Sequence, residues 1–294
     1  NLGSLKLEKP AEVLFEGADP EIYKETKEIS KDLKEQFSQI KEDFCFLFVG
    51  HWLNGNLGED RKDVGMMLKV FFESFKNQKN PPALIMKTSS AGFSIMDRVD
   101  ILKKIKMIRQ DINANTLPNV YLLHGDLTDK EMNQMYNHPK VKAMVSFTKG
   151  EGFGRPLLEF SLIDKPIIAS GWSGQLDFLC KEHTALCGGK INPIDKSAQV
   201  KGMLIEGSEW FDVDHNYVNH FYNDVFDNYD VWLGRSKNQG KHSRENYSFD
   251  KMSKKISELL DKNSPELPKK MELKLPGIDK IKMPKKNKKL KIVK

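Results

Sequence analysis

Two glutamates and three glycines stand close together in the segment KGEGFGRPLLEF, residues 149–160. Glu151 and Glu159 are eight positions apart, and the glycines lie at positions 150, 152 and 154. Glycine lets the backbone approach a ligand closely, and Pro156 suits the first turn of a helix, where a missing N–H costs nothing. We therefore predict a loop at Gly152–Arg155 that leads into a helix N-terminus, with free amides and the positive end of the helix dipole.

The chemistry of this loop is mixed. A helix N-terminus favours an anion such as a pyrophosphate, whereas a carboxylate repels anions and accepts hydrogen bonds from hydroxyl groups. Glu151 lies before the predicted helix, and Glu159 lies about one turn inside it. A nucleotide sugar contains a ribose, a pyrophosphate and a hexose, and so meets both requirements. The loop therefore predicts a binding site for a nucleoside-diphosphate sugar.

Other interpretations fit parts of the pattern. A dinucleotide-binding fingerprint requires G-x-G-x-x-G after the first strand, but here G-x-G-x-G follows about the fourth predicted strand and Arg-Pro comes next. A glycine-rich turn with solvated surface carboxylates would also account for these residues. Asp212 and Asp214 form a D-x-D pair, yet the segment lacks the glycine and terminal glutamate of a calcium loop. We predict no metal site.

The elements that must position the loop alternate between strand-like and helix-like segments. Continuous apolar runs, typical of buried parallel strands, are FCFLFVG, PALIMKTSS, NVYLLHG, VKAMVSFT and KPIIAS, with TALCGG as a candidate sixth. The amphipathic segments VGMMLKVFFESFK, MDRVDILKKIKMIRQDI and DLTDKEMNQMYNH predict helices between them. This alternation predicts an α/β fold, a Rossmann-like parallel sheet with helices on both faces.

Such sheets bind ligands beyond the carboxyl ends of their strands. The loops that should form the site therefore follow Gly50, Met86, Leu123, Thr148 and Ser170. The glutamate-containing loop is the fourth of these.

Three parts of the chain differ in composition. Residues 1–43 predict a connector and an N-terminal helical segment, 44–261 the nucleotide-sugar-binding domain, and 262–294 a basic low-complexity tail. The aromatic-rich segment 209–234 is predicted to be partly helical, and 250–262 to be the last helix of the body.

No apolar run approaches the roughly 18 residues of a membrane span, and the three scattered cysteines favour reduced thiols and a cytoplasmic location.

Charge is unevenly distributed along the 294 residues, whose net charge is +6. Residues 262–294 contain twelve lysines against three acidic residues, 12 − 3 = +9, which leaves 6 − 9 = −3 for residues 1–261. A mildly acidic body argues against nucleic-acid binding by the whole chain. Two interpretations of the tail stay open: a solvated extension, or a segment attracted to anionic lipid or another polyanion, which would place the protein at a membrane periphery.

The pattern E-G-F-G-x-P-x-x-E, followed by a strand and S-G-x-x-G, resembles the retaining glycosyltransferases of the GT-B fold. More narrowly, it resembles the family 4 group with its E-x7-E signature, here Glu151 and Glu159. The resemblance covers about residues 44–179 and extends more loosely to 260. The segment LFEGADPEIY, residues 14–23, also resembles the inter-domain connector of that family.

The resemblance implies a role for each matching residue. Glu151 would lie against the donor sugar near the reaction centre, Glu159 would take the ribose hydroxyls, and the amides of Phe153 and Gly154 would meet the sugar and phosphates. Arg61 and Lys62 match the basic pair that grips the pyrophosphate. The other donor-binding candidates are Lys87, His51, His124, Gly125, Gly152, Arg155, Ser173 and Gly174.

Several of these candidates depart from the family or extend it. The family often has an arginine directly after the first strand, where this chain has His51. We expect Lys87, at the end of the second strand, to supply part of the missing phosphate contact. Leu123 to Gly125 stand where the family holds the base, and Ser173 lies in a tight turn that should face the site.

The predicted function is transfer of a sugar from a nucleoside diphosphate to an unidentified acceptor (a glycan, a lipid or a protein), with retention at the anomeric carbon and no metal or other cofactor. A GT-B enzyme has two domains, so we expect this chain to be the C-terminal, donor-binding half of a longer enzyme, inactive alone. Two alternatives stay open: a non-catalytic nucleotide-sugar-binding or scaffold module, and a nucleotide-sugar epimerase of the same fold.

Overall fold

The computed structural model describes residues 11–52, 55–90, 92–199 and 207–264. Eight α-helices and eight strands are assigned within them. The helices are α1 (Lys31–Ser38), α2 (Val64–Phe75), α3 (Ile95–Gln110), α4 (Asp129–Asn137), α5 (Arg155–Ser161), α6 (His215–Asp227), α7 (Tyr229–Asn246) and α8 (Phe249–Asn263). The strands are β1 (Cys45–His51), β2 (Ala83–Ser89), β3 (Val120–Leu123), β4 (Val141–Ser146), β5 (Ile167–Ser170), β6 (Ala185–Cys187), β7 (Gly189–Pro193) and β8 (Glu209–Val213).

The central sheet has six parallel strands in the order β3-β2-β1-β4-β5-β6. The predicted α/β fold with a Rossmann-like parallel sheet is confirmed, and so is the candidate sixth strand. From β1 the chain builds outward through β2 and β3, then returns through α4 and builds in the other direction from β4. The direction of winding therefore reverses between β1 and β4, which are neighbours in the sheet.

Successive side chains of β1 point to opposite faces of the sheet, and both faces are covered by helices. Phe46 and Phe48 belong to one core cluster, with side chains of α2, α3 and α6. Cys45 and Leu47 point to the opposite face and join a second cluster, with side chains of α1, α4 and α5. All four side chains are fully buried, as expected for a central parallel strand.

The N-terminal segment contains much less helix than its composition suggested. Of its described residues, 11–43, only those of α1 are helical, and the N-cap Ser30 accepts a hydrogen bond from the amide of Leu33. Before α1, side-chain amides of α4 satisfy backbone N–H groups that a helix would otherwise pair. The hydrogen bonds run from Lys24 to Asn133 (3.2 Å), Thr26 to Asn137 (3.0 Å) and Ser30 to Gln134 (3.1 Å). Tertiary contacts thus override local helix propensity here.

The segment after β6 also differs from the prediction. Residues 209–213 were expected within a partly helical region, but they form β8, which pairs antiparallel with β7. Trp210, Phe211 and Val213 of β8 are buried, and the amide of Phe211 donates to the carbonyl of Lys149 at 2.9 Å. Beta-branched and aromatic residues suit such a half-buried strand. The pairing partner lies some twenty residues earlier, so no local periodicity reveals it.

The C-terminal end of the chain forms a separate unit. Contacts group the described residues through Ile256 together, and a second unit begins at Ser257. Of the predicted tail, residues 265–294 lie outside the described residues. Among the helices that the structure describes, none is long and apolar enough to cross a bilayer.

The aromatic cluster on the first core face yields a stability prediction. Phe46 is fully buried, with ring centroids of Tyr222, Phe75 and Phe71 at 5.0, 6.0 and 6.2 Å. Phe46→Ala should lower the free energy of unfolding by about 3–5 kcal/mol, through lost burial and the cavity left behind. Urea denaturation followed by circular dichroism measures it. Met96→Ala, at a side chain 72% exposed, is the control and should change stability by less than about 0.5 kcal/mol; equal effects would contradict the assigned core.

Candidate functional site

The candidate site lies where the winding of the sheet reverses. The loops that leave the carboxyl ends of β1 and β4 diverge from neighbouring strands, which in open α/β sheets opens a crevice for a ligand. The β1 loop contributes Arg61 and Lys62, and the β4 loop contributes Glu151. The amide of Lys149 donates to the carbonyl of Arg61 at 2.8 Å, and the hydroxyl of Thr148 donates to the same carbonyl at 3.3 Å. These bonds join the two loops directly.

Three charged side chains converge in this crevice. The ammonium of Lys62 contacts one carboxylate oxygen of Glu151. The guanidinium of Arg61 lies 3.4 Å from the other oxygen and donates to the carbonyl of Gly150 at 2.5 Å. The structure therefore brings together the basic pair and the first glutamate of the predicted site, which are about 90 residues apart in the chain.

The electrostatics of this group favour an anionic ligand. Two cations face one carboxylate, and the side chains of Lys62 and Glu151 are only 15% and 16% exposed. Burial, and secondarily the charge of Arg61, lower the pKa of Lys62 to about 8. The contact with Glu151 acts in the opposite direction. A nearby anion would stabilise the charged form of Lys62 further, because the low dielectric of a buried site strengthens each interaction.

A buried acid shapes the turn that presents the two cations. Asp60 is 1% exposed, and its carboxylate accepts a hydrogen bond from the amide of Lys62 at 3.1 Å. Burial, and then the neighbouring charge of Asp63, raise the pKa of Asp60 to about 6. The residue holds the backbone of the turn and does not reach the carboxylate of Glu151.

The loop after β5 fixes the backbone around Glu151. The amide of Glu151 donates to the hydroxyl of Ser173 at 3.0 Å, and that hydroxyl donates back to the carbonyl of Glu151 at 2.6 Å. The amide of Gly174 donates to the same carbonyl at 3.1 Å. Ser173 and Gly174 thus support the backbone of the glutamate loop, and their contact with the donor stays a prediction.

This support requires unusual backbone geometry. Ser173 has φ 73° and ψ −161°, a region that non-glycine residues rarely occupy, at a cost on the order of 1–3 kcal/mol. A Cβ atom on Gly174 would lie 2.0 Å from the carbonyl oxygen of Gly152. The two loops therefore touch backbone to backbone, and only glycine fits at position 174.

The start of α5 agrees with the predicted loop and helix. Gly154 caps the helix in the left-handed region, φ 95°, and the proline lies in the first turn. The amides of Gly152, Phe153 and Gly154 have no backbone acceptor among the described residues. The ring of Phe153 packs against Phe178, with ring centroids 5.0 Å apart. The ring of Phe153 is therefore part of the core, and this residue contributes only its backbone to the surface of the loop.

Glu159 occupies a more enclosed position than Glu151. It is 5% exposed, and its carboxylate accepts hydrogen bonds from Arg155 at 2.8 Å and from the hydroxyl of Tyr136 at 3.2 Å. Burial raises the pKa of Glu159, while Arg155 and Tyr136 act against this rise. The carboxylate already has two protein partners, so a ribose would have to share or replace one of them. Arg155 is the exposed partner, with 56% of its side chain accessible.

A second polar cluster lies at the ends of β2 and β3. The ammonium of Lys87 donates to the carbonyl of Gly125 at 2.6 Å and lies 4.8 Å from the ring centroid of Phe93. His124 pairs with Asp97 at 2.8 Å. Burial lowers the pKa of Lys87. The structure thus links the predicted residues Lys87, His124 and Gly125, but in a cluster distinct from the one around Glu151.

His51 stands apart from both clusters. It is exposed at the end of β1, and its Nδ1 atom lies 3.1 Å from the hydroxyl of Ser89. No contact joins it to Arg61, Lys62 or Glu151 among the contacts of the described residues.

Sequence reasoning missed several residues that hold the site in place. Tyr136 has no local signal, because it meets Glu159 only through the packing of α4 on α5. Asp212, considered earlier only as part of a D-x-D pair, forms an ion pair with Lys149. Asp97 could have been found, since the serine three residues before it is a helix N-cap signal. In the described part of the chain, no group of three or more His, Cys, Asp or Glu side chains could hold a metal ion.

No known protein-family model matches this sequence, and no curated protein sequence is significantly similar to it. Solved structures are similar. The C-terminal domain of LpcC, a glycosyl transferase group 1 family protein from Francisella tularensis, has 12% sequence identity and a TM-score of 0.53 over 79% of this chain and 100% of that domain. HepE from Anabaena, solved with UDP and glucose, has 15% identity and a TM-score of 0.57 over 85% of this chain and 56% of HepE.

A glycosyltransferase from Rickettsia africae has 11% identity and a TM-score of 0.60, over 86% of this chain and 57% of that protein. The chain therefore spans just over half the length of HepE and of the Rickettsia protein, and the whole of the LpcC domain. At these identities the likeness shows the fold. The chain has the fold of the C-terminal domain of GT-B glycosyltransferases.

The close approach of the two loops predicts the effect of a single methyl group. Gly174→Ala should lower the free energy of unfolding by about 1–3 kcal/mol, because the new Cβ overlaps the backbone of the glutamate loop. Gly234→Ala is the matched control: this glycine lies within α7, and a Cβ there meets no atom within 4 Å. It should stabilise by about 0.5–1 kcal/mol. Thermal unfolding measures the stability of both variants. If Gly174→Ala were as stabilising as Gly234→Ala, the two loops would not be in contact.

Proposed function

We propose that this chain is the donor-binding half of a glycosyltransferase that transfers a sugar from a nucleoside diphosphate to an acceptor with retention of configuration. The observation that carries the proposal is the convergence of Arg61, Lys62 and Glu151 at the reversal point of the sheet. The fold supports it, since HepE has a similar fold and was solved with UDP and glucose. An acceptor-binding half would complete the crevice.

The two cations suit the leaving group. When the bond from the anomeric carbon to the β-phosphate oxygen breaks, its electron pair leaves with the nucleoside diphosphate. Arg61 and Lys62 would stabilise that developing negative charge from fixed positions, which is the most effective form of electrostatic catalysis. A guanidinium also matches phosphate oxygens with paired donors. No metal ion is required in this proposal, because the two side chains supply the positive charge.

Glu151 would act on the sugar. In the structure its carboxylate is held by Lys62 and Arg61. A bound diphosphate would take over those cations, and the carboxylate would then accept hydrogen bonds from sugar hydroxyls and stabilise positive charge near the anomeric carbon. The acceptor oxygen would attack on the face from which the diphosphate departs, and its proton would pass to the departing β-phosphate oxygen as the new bond forms.

The remaining residues would bind the nucleoside. We assign His124 and Gly125 to the base side of the donor, and Lys87, whose ammonium donates to the carbonyl of Gly125, to its phosphates. Glu159 is assigned to the ribose hydroxyls, and its exposed partner Arg155 would turn toward solvent as the ribose binds.

A reducing compartment suits this chain. Cys45 and Cys187 are buried free thiols, and Cys180 is a partly buried one. Burial raises the pKa of all three, so they are poorly reactive at neutral pH. We propose that the protein acts in the cytoplasm.

Opposite changes in nucleotide affinity test the roles of Lys62 and Glu151. Lys62→Gln should weaken UDP or GDP binding by about tenfold or more, because a charge-assisted contact to phosphate is lost. Glu151→Gln should instead tighten binding of the free nucleotide, by up to about tenfold, because it frees both cations from a competing carboxylate. Isothermal titration calorimetry of the intact chain measures both. Lys103→Gln, at an exposed lysine of α3, is the charge-matched control and should change nothing.

The same variants separate binding from transfer. In the enzyme assembled with its acceptor-binding half, Glu151→Gln should abolish transfer even though it binds nucleotide more tightly. Unchanged transfer would remove Glu151 from the mechanism. If Lys62→Gln binds nucleotide as the unmodified chain does, the site itself is wrong. Intact binding with no transfer in the complete protein would favour a non-catalytic nucleotide-sugar-binding module.

The lowered pKa of Lys62 predicts a pH dependence. Only the protonated amine attracts phosphate, so nucleotide affinity should fall as pH rises through the pKa of about 8. Between pH 7 and pH 9 the loss should approach about tenfold, one decade for each pH unit above the pKa. The diphosphate is already fully ionised over this range. Lys62→Arg keeps its charge and should bind with nearly constant affinity; a parallel fall in that variant would assign the titration to another group.

A further inference from the structure

Helix α3 is apolar on two opposite sides. Its inner side holds Ile101, Ile105 and Ile108, which are buried in the core cluster that contains Phe46. The outer side of such a helix is normally polar, because it faces water. On α3 this outer side begins with apolar side chains that are 73%, 72%, 50% and 48% exposed, in the order Ile95, Met96, Val99 and Leu102. The fold of the described residues therefore leaves an apolar surface uncovered here.

These four side chains form one contiguous patch. Val99 lies four residues after Ile95 and three before Leu102, and Met96 lies three before Val99. Residues three or four apart are neighbours on a helix. At about 100° per residue the four fall within an arc of about 120°, opposite the buried isoleucines. Single exposed apolar side chains are ordinary, whereas a contiguous patch marks a contact surface.

Positive charge extends the patch along the helix. Lys103 and Lys106 are exposed, and each lies one turn beyond a residue of the patch. Helix α3 contains five basic and two acidic residues, a charge of 5 − 2 = +3. Residues 1–261 carry −3 in total, so the rest of this body carries −3 − 3 = −6. The outer face of α3, meaning the four apolar side chains with Lys103 and Lys106, is thus a basic and apolar surface on an acidic body.

We propose that the outer face of α3 binds to the surface of an anionic membrane. Apolar side chains of a helix that lies in the membrane interface enter the boundary between headgroups and acyl chains. Lysines on the same face keep their methylene groups in the apolar layer while their ammonium groups reach the headgroups. There they are attracted to the negative potential of anionic lipids. A membrane surface therefore suits both kinds of side chain on this face.

A protein partner suits this face less well. The centres of protein interfaces are depleted in lysine, yet Lys103 and Lys106 directly continue the apolar patch. In a symmetric dimer the same surface meets itself. Two copies of this chain would therefore bring together two helices that each carry a charge of +3. The charge of α3 thus favours an anionic partner over a second copy.

Vesicle sedimentation of the intact chain tests the apolar part of the face. The chain should bind vesicles of phosphatidylcholine mixed with phosphatidylserine, and should bind phosphatidylcholine alone at least about tenfold more weakly. Ile95→Gln with Met96→Gln should lower binding to the anionic vesicles at least about fivefold, because two inserting side chains become polar. The control, Ile191→Gln with Val231→Gln, changes two apolar side chains elsewhere that are 40% and 57% exposed, and should not lower it.

The lysines are tested in the same assay. Lys103→Gln with Lys106→Gln should lower binding to the anionic vesicles at least about fivefold, since each lysine contributes to the electrostatic attraction. Lys34→Gln with Lys79→Gln removes the same charge at two exposed positions elsewhere and should have little effect. Circular dichroism should show the same helix content and melting temperature for every variant.

A fluorescent label locates the contact on the molecule. An environment-sensitive fluorophore can be attached to Val99→Cys or to Val231→Cys, which replace exposed valines on two different helices. Cys180→Ser removes the partly buried native thiol, and the other two cysteines are buried. With anionic vesicles, emission of the label at position 99 should shift to shorter wavelength, whereas emission at position 231 should stay that of an aqueous label.

Several outcomes would overturn the proposal. These are failure of the intact chain to bind anionic vesicles, equal binding to neutral and anionic vesicles, and full binding by the Ile95→Gln, Met96→Gln variant. Binding without an emission shift at position 99 would show that another part of the chain, such as the basic tail, meets the lipid. A dimer in light scattering that the same double variant dissociates would identify a second copy as the partner. None of these outcomes bears on nucleotide binding.

Discussion

The site depends on one constraint, the adjacency of β1 and β4 in the sheet. Because the chain leaves these neighbouring strands in opposite winding directions, their loops diverge and leave a crevice. The loops are joined at their bases by two hydrogen bonds to the carbonyl of Arg61, one from the amide of Lys149 and one from the hydroxyl of Thr148. The charged side chains of Arg61, Lys62 and Glu151 meet above those bonds. Without that adjacency, Arg61 and Glu151 would belong to unrelated parts of the surface.

Much of the fold is readable from the sequence, because continuous apolar runs mark parallel strands and the carboxyl ends of those strands mark the site. The pairing of Lys62 with Glu151 could not be read, since it depends on strand order. Predictions from local propensity also failed where residues distant in the chain determine the secondary structure. The residues before α1 are held extended by amides of α4, and β8 forms because β7 and the carbonyl of Lys149 are available. The enclosure of Glu159 by Tyr136 has the same long-range origin.

Strain and support occur together at the loop after β5. Ser173 holds a backbone conformation that its side chain disfavours, yet the same hydroxyl exchanges two hydrogen bonds with the backbone of Glu151. Gly174 allows the two loops to touch. A flexible loop would lose this geometry, and the carboxylate would then sample many positions. The cost in backbone energy is thus matched by a fixed orientation of the residue that is proposed to act on the sugar.

The ion pair between Lys62 and Glu151 has a consequence for selectivity. The cations already have a carboxylate partner, so inorganic phosphate must displace Glu151 in order to bind them. The displaced carboxylate then has no new partner in place of the two cations. A nucleotide sugar supplies phosphates to the cations and hydroxyl groups to the carboxylate in the same event. The ion pair would therefore discriminate against abundant simple anions, because only a ligand with both phosphates and hydroxyl groups provides new partners for the cations and for the carboxylate.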